Sequence, residues 1–209
     1  MALRYIEAKR DHYRKLAKKE GFRSRAAYKL LQMDKRNDII PFNGIVIDFG
    51  AAPGGWMQVA SEKVGDNGLV LGMDIKNIRP ISKNTVSLTI DVFNAEIGNE
   101  IMKIIPDKAD VVLSDIAPDI IGVWQVDHLK QIDMVMKIIA LFPTILKPNG
   151  NAVLKIFEGE DTQNTLIYVR KLFQKIHVSK PPASRGKSSE LYFVCLKYKN
   201  IIVNNELNE

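Results

Sequence analysis

Four ionisable residues stand where their types suggest chemistry. The run Val153-Leu-Lys-Ile-Phe157 carries Lys155 inside a stretch that otherwise reads as a fully buried strand. A buried ammonium is unfavourable, on the order of several kcal/mol, unless carboxylates compensate it. Asp115, which closes the apolar run before it in the chain, is the natural partner. An amine held in this way can orient a hydroxyl or take its proton; the plainer reading is a structural ion pair at a sheet edge. Lys29 is a second candidate, one helical turn beyond Arg25. Taken alone it reads as a solvated lysine or a phosphate contact. Glu190 is the one acid in a strongly basic stretch and is expected to sit among cations.

A second group points to ligand binding. In Ile47-Asp-Phe-Gly-Ala-Ala-Pro-Gly-Gly-Trp56 an apolar strand ends and a loop of small residues opens a helix. Glycine and alanine there let a ligand approach the backbone, and free helix N–H groups offer donors. The dinucleotide fingerprint fails because position 52 is alanine, which disfavours a dehydrogenase, and no phosphate-loop lysine follows. Asp74, Asp91 and Asp115 each end or follow an apolar run. In a parallel sheet such ends share the carboxyl edge, where ligands bind. An acid after the second strand suits a ribose diol, and one after the third suits an exocyclic amine. Each alone reads as a loop cap.

These residues need a scaffold. Strands are expected at Ile45–Phe49, Leu69–Asp74, Val86–Ile90, Val111–Ser114 and Ala152–Phe157, with helices at Trp56–Val64, Ala95–Ile105, Val126–Leu146 and Thr162–Phe173. The continuous apolar strands and the strand–helix alternation predict an α/β fold, a doubly wound and mostly parallel sheet. Lys175–Ser179 and Leu191–Lys197 have no helix between them and should form a C-terminal antiparallel hairpin. Upstream, residues 5–20 favour helix, and Ser24 is the expected N-cap of a second helix reaching about Lys35. Residues 1–40 thus read as a basic N-terminal helical extension, 41–199 as the main domain and 200–209 as a frayed tail.

The charge is local. Residues 1–40 hold twelve Lys/Arg against five acids and residues 170–199 eight against one, while residues 41–169 are net acidic. Two basic zones on one face would suit nucleic acid. Among 209 residues, 46% hydrophobic and 26% charged, no apolar run is long enough to span a bilayer. Met1–Arg10 is too charged for a signal peptide. One cysteine, Cys195, and three scattered histidines leave no disulfide and no metal-ligand spacing. A cytoplasmic chain without membrane contact or metal, and monomeric, is the expectation.

Five separated motifs, in order across nearly the whole chain, resemble the FtsJ/RrmJ-type RNA 2′-O-ribose methyltransferases. They are Arg23-Ser-Arg-Ala-Ala-Tyr-Lys-Leu30, Asp48-Phe-Gly-Ala-Ala-Pro-Gly-Gly-Trp56, Ser114-Asp-Ile-Ala-Pro118, Val153-Leu-Lys-Ile-Phe-Glu-Gly159 and Ser184-Arg-Gly-Lys-Ser-Ser-Glu190. The resemblance implies S-adenosylmethionine as cofactor, the seven-stranded Rossmann-like methyltransferase sheet, and a catalytic tetrad of Lys29, Asp115, Lys155 and Glu190. Cofactor contacts carry over to Gly54, Trp56, Asp74, Asp91 and Asp115; Trp56 by its type reads as core. Lys155 would accept the proton of the hydroxyl, or stay charged and orient it. The Gly-Gly-Trp and Phe-Glu-Gly forms are similar to enzymes of 23S large-subunit ribosomal RNA, with a uridine as target. Asp119 and the N-terminal run resemble the branch that modifies the tRNA anticodon loop. A non-catalytic RNA-binding module is the rival outside enzymology. Arg23, Arg25 and Arg185 are expected on RNA phosphates, and Tyr5, Tyr13, Phe22 and Tyr28 either stack bases or pack helices.

Overall fold

Apolar strands without alternation need cover on both faces. In the computed structural model, which describes residues 12–184 and 189–201, β1 (Ile45–Phe49) and β4 (Ala109–Ser114) find that cover near the middle of a seven-stranded sheet. The other strands are β2 (Leu69–Asp74), β3 (Thr85–Thr89), β5 (Leu146–Phe157), β6 (Phe173–Ser179) and β7 (Glu190–Tyr198). The order is β3-β2-β1-β4-β5-β7-β6. The first five run parallel, and β7 inserts antiparallel between β5 and β6. The expected hairpin is present. The chain order reverses between β1 and β4, and the crevice at such a switch point is where open α/β sheets take ligands.

Helices fill both sides. Residues 12–19 are helical (α1); α2 (Ala27–Asn37) and α3 (Gly55–Val64) cover one face, with Leu30, Met33, Met57 and Val59 packed on Val46, Val111 and Val153. On the other face α4 (Ile97–Ile104), α5 (Trp124–Ile145) and α6 (Thr162–Leu172) bring Ile101, Ile138, Phe142 and Val169 onto Ile47, Val112 and Leu154. Consecutive strand residues thus serve opposite cores, as a period of two requires. Among the described residues no helix is long and apolar enough to cross a membrane.

Two local expectations need correction. Ser24 is not the cap of α2. The N-cap is Ala26, without a side-chain cap bond; Ser24 contributes only its carbonyl, accepting from the Ala27 N–H at 3.3 Å. Its hydroxyl instead lies where a Cβ on Gly55 would fall, 2.3 Å away, so Ser24 and Gly55 pack α2 against α3. The fifth strand also starts earlier than Ala152. Leu146 already pairs with Ala109, and after a register shift Asn151 pairs with Val111, with Asn149 at φ 63° in the intervening bend. Apolar content alone does not reveal a strand interrupted by Lys-Pro-Asn-Gly.

Candidate active site

β5 and β7 set the site through their register. Lys155 lies opposite Tyr192, and Phe157 opposite Glu190. Lys155 shares the face of Val153 and Tyr192, the face that α2 covers. From α2, Lys29 enters the same space. Its Nζ donates to Glu190 Oε2 at 3.0 Å and to the Tyr192 hydroxyl at 2.7 Å, and lies 3.9 Å from Asp115 Oδ1. The Lys155 Nζ lies 3.3 Å from the same Asp115 oxygen and donates to the Asp115 carbonyl. Tyr192 completes the ring by donating to Asp115 Oδ1 at 2.8 Å.

Both ammoniums are nearly fully buried, Lys29 at 5% exposure and Lys155 at 4%. Two carboxylates balance them, which resolves the anomaly of a lysine in a buried strand. The solvated reading of Lys29 is thereby set aside. Burial alone would raise the Asp115 pKa, but Lys155 and Lys29, with the Tyr192 hydroxyl, hold it below the ordinary carboxylate value. Burial, and then Asp115 and Glu190, push the Tyr192 phenol well up, so it stays a donor.

Beside this cluster, past the ends of β1, β2 and β4, opens a cavity of about 270 Å³. Gly50, Asp74, Asp91 and Asp115 line it, together with Ile75 and Phe93. Gly50 sits at φ +72°, and a Cβ there would lie 2.7 Å from the Ile116 Cα; glycine lets the loop pass the β4 exit this closely. Asp74 ties the walls together, Oδ2 accepting from the Ala52 N–H and Oδ1 from the Lys76 N–H, each at 2.9 Å. Asp91 caps its own loop by accepting from the Phe93 N–H at 3.0 Å. Strand-end carboxylates for a diol and an amine, apolar side chains for a flat ring and a small-residue floor fit an adenosine-bearing donor.

Gly54 and Trp56 do not line that cavity. Gly54, at φ +107°, is the N-cap of α3. Trp56 is 3% exposed, donates its indole N–H to the Ala26 carbonyl at 2.8 Å and packs against Tyr192. Its residue type, read as core, describes its side chain better than the carried-over contact does.

The three arginines fare differently from a shared phosphate role. The Arg23 guanidinium donates to the carbonyls of Pro53, Arg79 and Pro80, which makes it a clamp between the small-residue loop and the 79–80 segment. Arg25 Nη1 reaches the Ala183 carbonyl at 3.4 Å. Arg185 lies outside the described residues, as does Tyr5. Tyr13, Phe22 and Tyr28 form a packed aromatic group, with the Tyr13 hydroxyl accepting from Gln32 and the Tyr28 hydroxyl donating to Glu20; they hold helices. The two basic stretches do meet, since Ala183 packs with Ala17 and Tyr28 and donates its N–H to Gln32 Oε1 at 3.0 Å.

Residues 22–198 match the family model of the FtsJ-like methyltransferases. The chain belongs to this family. A relative from Methanobrevibacter smithii, named ribosomal RNA large subunit methyltransferase E, is 43% identical over 195 residues, with 93% of each chain covered. A Nitrosopumilus maritimus protein of the same name is 40% identical, covering 94% of this chain and 99% of its own. A crystal structure described as a ribosomal RNA methyltransferase from Plasmodium falciparum superposes with a TM-score of 0.75 at 30% identity, over 85% of this chain and 98% of the other.

Sequence reasoning missed three residues that hold the site of this FtsJ-like methyltransferase. Tyr192 was legible in principle, two positions after Glu190 and so on the same strand face. Gln131 of α5 was not. Pairing of β4 with β5 ends at Ser114 and Leu154. Beyond it, the Gln131 amide donates to the Lys155 carbonyl and accepts from the Phe157 N–H at 3.2 Å. One side chain thus takes the place of the departed strand and secures the backbone on both sides of Ile156. His128, 3% exposed, bonds the Phe157 carbonyl through Nδ1 and accepts the Asp161 N–H at Nε2, fixing the turn that follows.

Proposed function

We propose that this FtsJ-like methyltransferase transfers a methyl group from S-adenosylmethionine to a ribose 2′-hydroxyl of large-subunit ribosomal RNA. The observation that carries the reading is the charge-balanced cluster of Lys29, Asp115, Lys155 and Glu190 at the rim of a cavity suited to an adenosine-bearing donor. The names of the relatives supply the RNA class. A chain acting in the cytoplasm as a monomer is part of the same reading.

Asp74 and Asp91, with the backbone of the 50–54 loop, would hold the donor, which supplies an electrophilic sulfonium methyl when bound. Lys155 orients the 2′-hydroxyl: as the neutral amine it accepts the hydroxyl proton while the methyl is transferred, and as the ammonium it only holds the oxygen, the proton leaving to solvent. Asp115 fixes the Lys155 ammonium through its carboxylate and its carbonyl. Lys29 balances Asp115 and is itself anchored by Glu190. Tyr192 locks both lysine positions to one carboxylate oxygen. Holding the hydroxyl in line supplies much of the rate, since aligned reactants gain roughly 7–11 kcal/mol over free encounter.

The test incubates the purified chain with labelled methyl donor and either large ribosomal subunits, free large-subunit RNA or transfer RNA, and maps 2′-O-methyl positions. Label in a ribose of the large-subunit RNA, abolished by Lys155→Ala with donor affinity retained by calorimetry, is the expected result. Label confined to transfer RNA, or turnover undiminished in Lys155→Ala, refutes it.

A further inference from the structure

The loop that leaves β4 carries a run of apolar side chains into solvent. Ile120 is 62% exposed, Ile121 55%, Val123 51% and Trp124 42%. Exposed apolar patches of this kind mark interaction sites. The loop is not loosely placed. The carboxylate of Asp127, itself 1% exposed, accepts the N–H groups of Ile121 at 2.9 Å and Gly122 at 3.1 Å. A buried carboxylate is thus committed to holding apolar residues outward.

The patch is continuous with the site. Trp124 stacks on Phe157, ring centroids 5.7 Å apart at 27°, and the Lys155 Nζ lies 5.9 Å from the Phe157 centroid. Phe157 is buried beneath Trp124, so the indole has one face packed and exposed surface to spare. Charge separates this shelf from the basic stretches. No Lys or Arg occurs between Lys108 and Lys130, while Asp115, Asp119 and Asp127 do. The segment itself offers a phosphate no cation, whereas it offers an uncharged ring an aromatic partner.

We propose that Trp124, flanked by Ile120, Ile121 and Val123, is a stacking shelf for an unpaired base beside the target ribose. This rests on the proposed RNA activity. Single-stranded bases are bound by stacking on aromatic side chains, and such a contact tolerates any base because each presents a π-face. With the ribose held at Lys155, the base has a flat surface one ring beyond Phe157. The shelf is a specificity device for unpaired RNA, because a base kept in a helix cannot turn onto it.

Two measurements test this. Indole emission is followed as a short single-stranded oligouridylate, or an abasic ribose-phosphate oligomer of equal length, is added to the full chain; Trp124→Phe supplies the blank, since the only other tryptophan is the buried Trp56. Quenching by the oligouridylate alone supports the shelf, and equal quenching by the abasic oligomer, or none by either, overturns it. In methyl transfer to large-subunit RNA, Trp124→Leu should raise KM for RNA about tenfold, the order of one base–aromatic stack, with kcat and melting temperature kept and Trp124→Phe restoring most of the loss. An unchanged KM in Trp124→Leu overturns the proposal. Absence of methyl transfer by the parent chain would refute the activity, while the quenching comparison would still decide the shelf.

Discussion

The Tyr192 hydroxyl accepts a hydrogen bond from Lys29 Nζ and donates one to Asp115 Oδ1. One phenol therefore joins a helix lysine to the carboxylate that holds the strand lysine. Tyr192→Phe keeps the packing against Trp56 and breaks that link. A lost buried hydrogen bond to charged groups is worth about 1.5–3 kcal/mol. The variant should melt lower and transfer methyl groups at least tenfold more slowly, with donor affinity by calorimetry unchanged. Parental turnover would show that the link is dispensable.

Asp115→Asn leaves two buried ammoniums with one carboxylate. Because the folded pKa of Asp115 lies below its ordinary value, its contribution to stability is present above about pH 4 and is lost as pH falls through the folded pKa. The variant should be destabilised at pH 7 by on the order of 3 kcal/mol, and the gap to the parent should narrow under acid. Denaturant titrations at pH 7 and in acid measure both.

Asp48 shows the opposite sign. It is fully buried on β1, and neither carboxylate oxygen has a hydrogen-bond partner. Burial, then the Asp115 and Asp74 carboxylates, push its pKa well up. The folded protein keeps a proton that the unfolded chain releases near pH 4. Stability from this group is complete below that pH and declines as pH rises toward the folded pKa. Asp48→Asn should therefore melt higher than the parent at pH 7, by roughly 2–4 °C for each kcal/mol relieved, and the advantage should vanish near pH 4. Parallel melting curves across pH would contradict it.

Gln131→Ala strips the Lys155 carbonyl and the Phe157 N–H of their partner. Each unsatisfied buried group costs about 1–3 kcal/mol. A fall in melting temperature and a drop in single-turnover rate are expected, with Gln131→Glu failing to restore either because it lacks the donor. Hydrogen exchange at Phe157 reports the loss directly.

Gly50→Ala puts a Cβ on a left-handed residue 2.7 Å from backbone of Ile116. The loop must move away from the β4 exit, and the cavity it floors changes shape. Donor affinity should fall at least tenfold by calorimetry, with a smaller loss of stability than Asp115→Asn. Unaltered affinity would remove the loop from the binding site.

Much of the fold was legible because its signals are local. The strand at Ile45–Phe49 was expected and found at the same bounds, and Leu69–Asp74 likewise, since a strand covered on both faces is apolar over most of its length. Lys155 announced itself as a charge inside such a run. The cap role of Ser24 was misread, and the carbonyl partners of Arg23 went unseen, for the same underlying reason. A guanidinium or a hydroxyl looks the same in sequence whether it meets phosphate, a helix N–H or the carbonyls of a loop 56 and 57 residues away, as Arg23 does at Arg79 and Pro80.

Sequence alone determined that the chain alternates strand and helix, that acids collect at strand ends, and that one amine must be buried beside one of them. Tertiary structure alone decided that Tyr192 ties Lys29 to Asp115, that Gln131 substitutes for a missing strand, and that Trp124 roofs Phe157 next to the buried amine. The physical division is one of range. Hydrophobic period and turn chemistry act over a few residues and can be read in order, whereas the partner of a polar atom is whichever group the packed sheet and its helices bring within three ångströms.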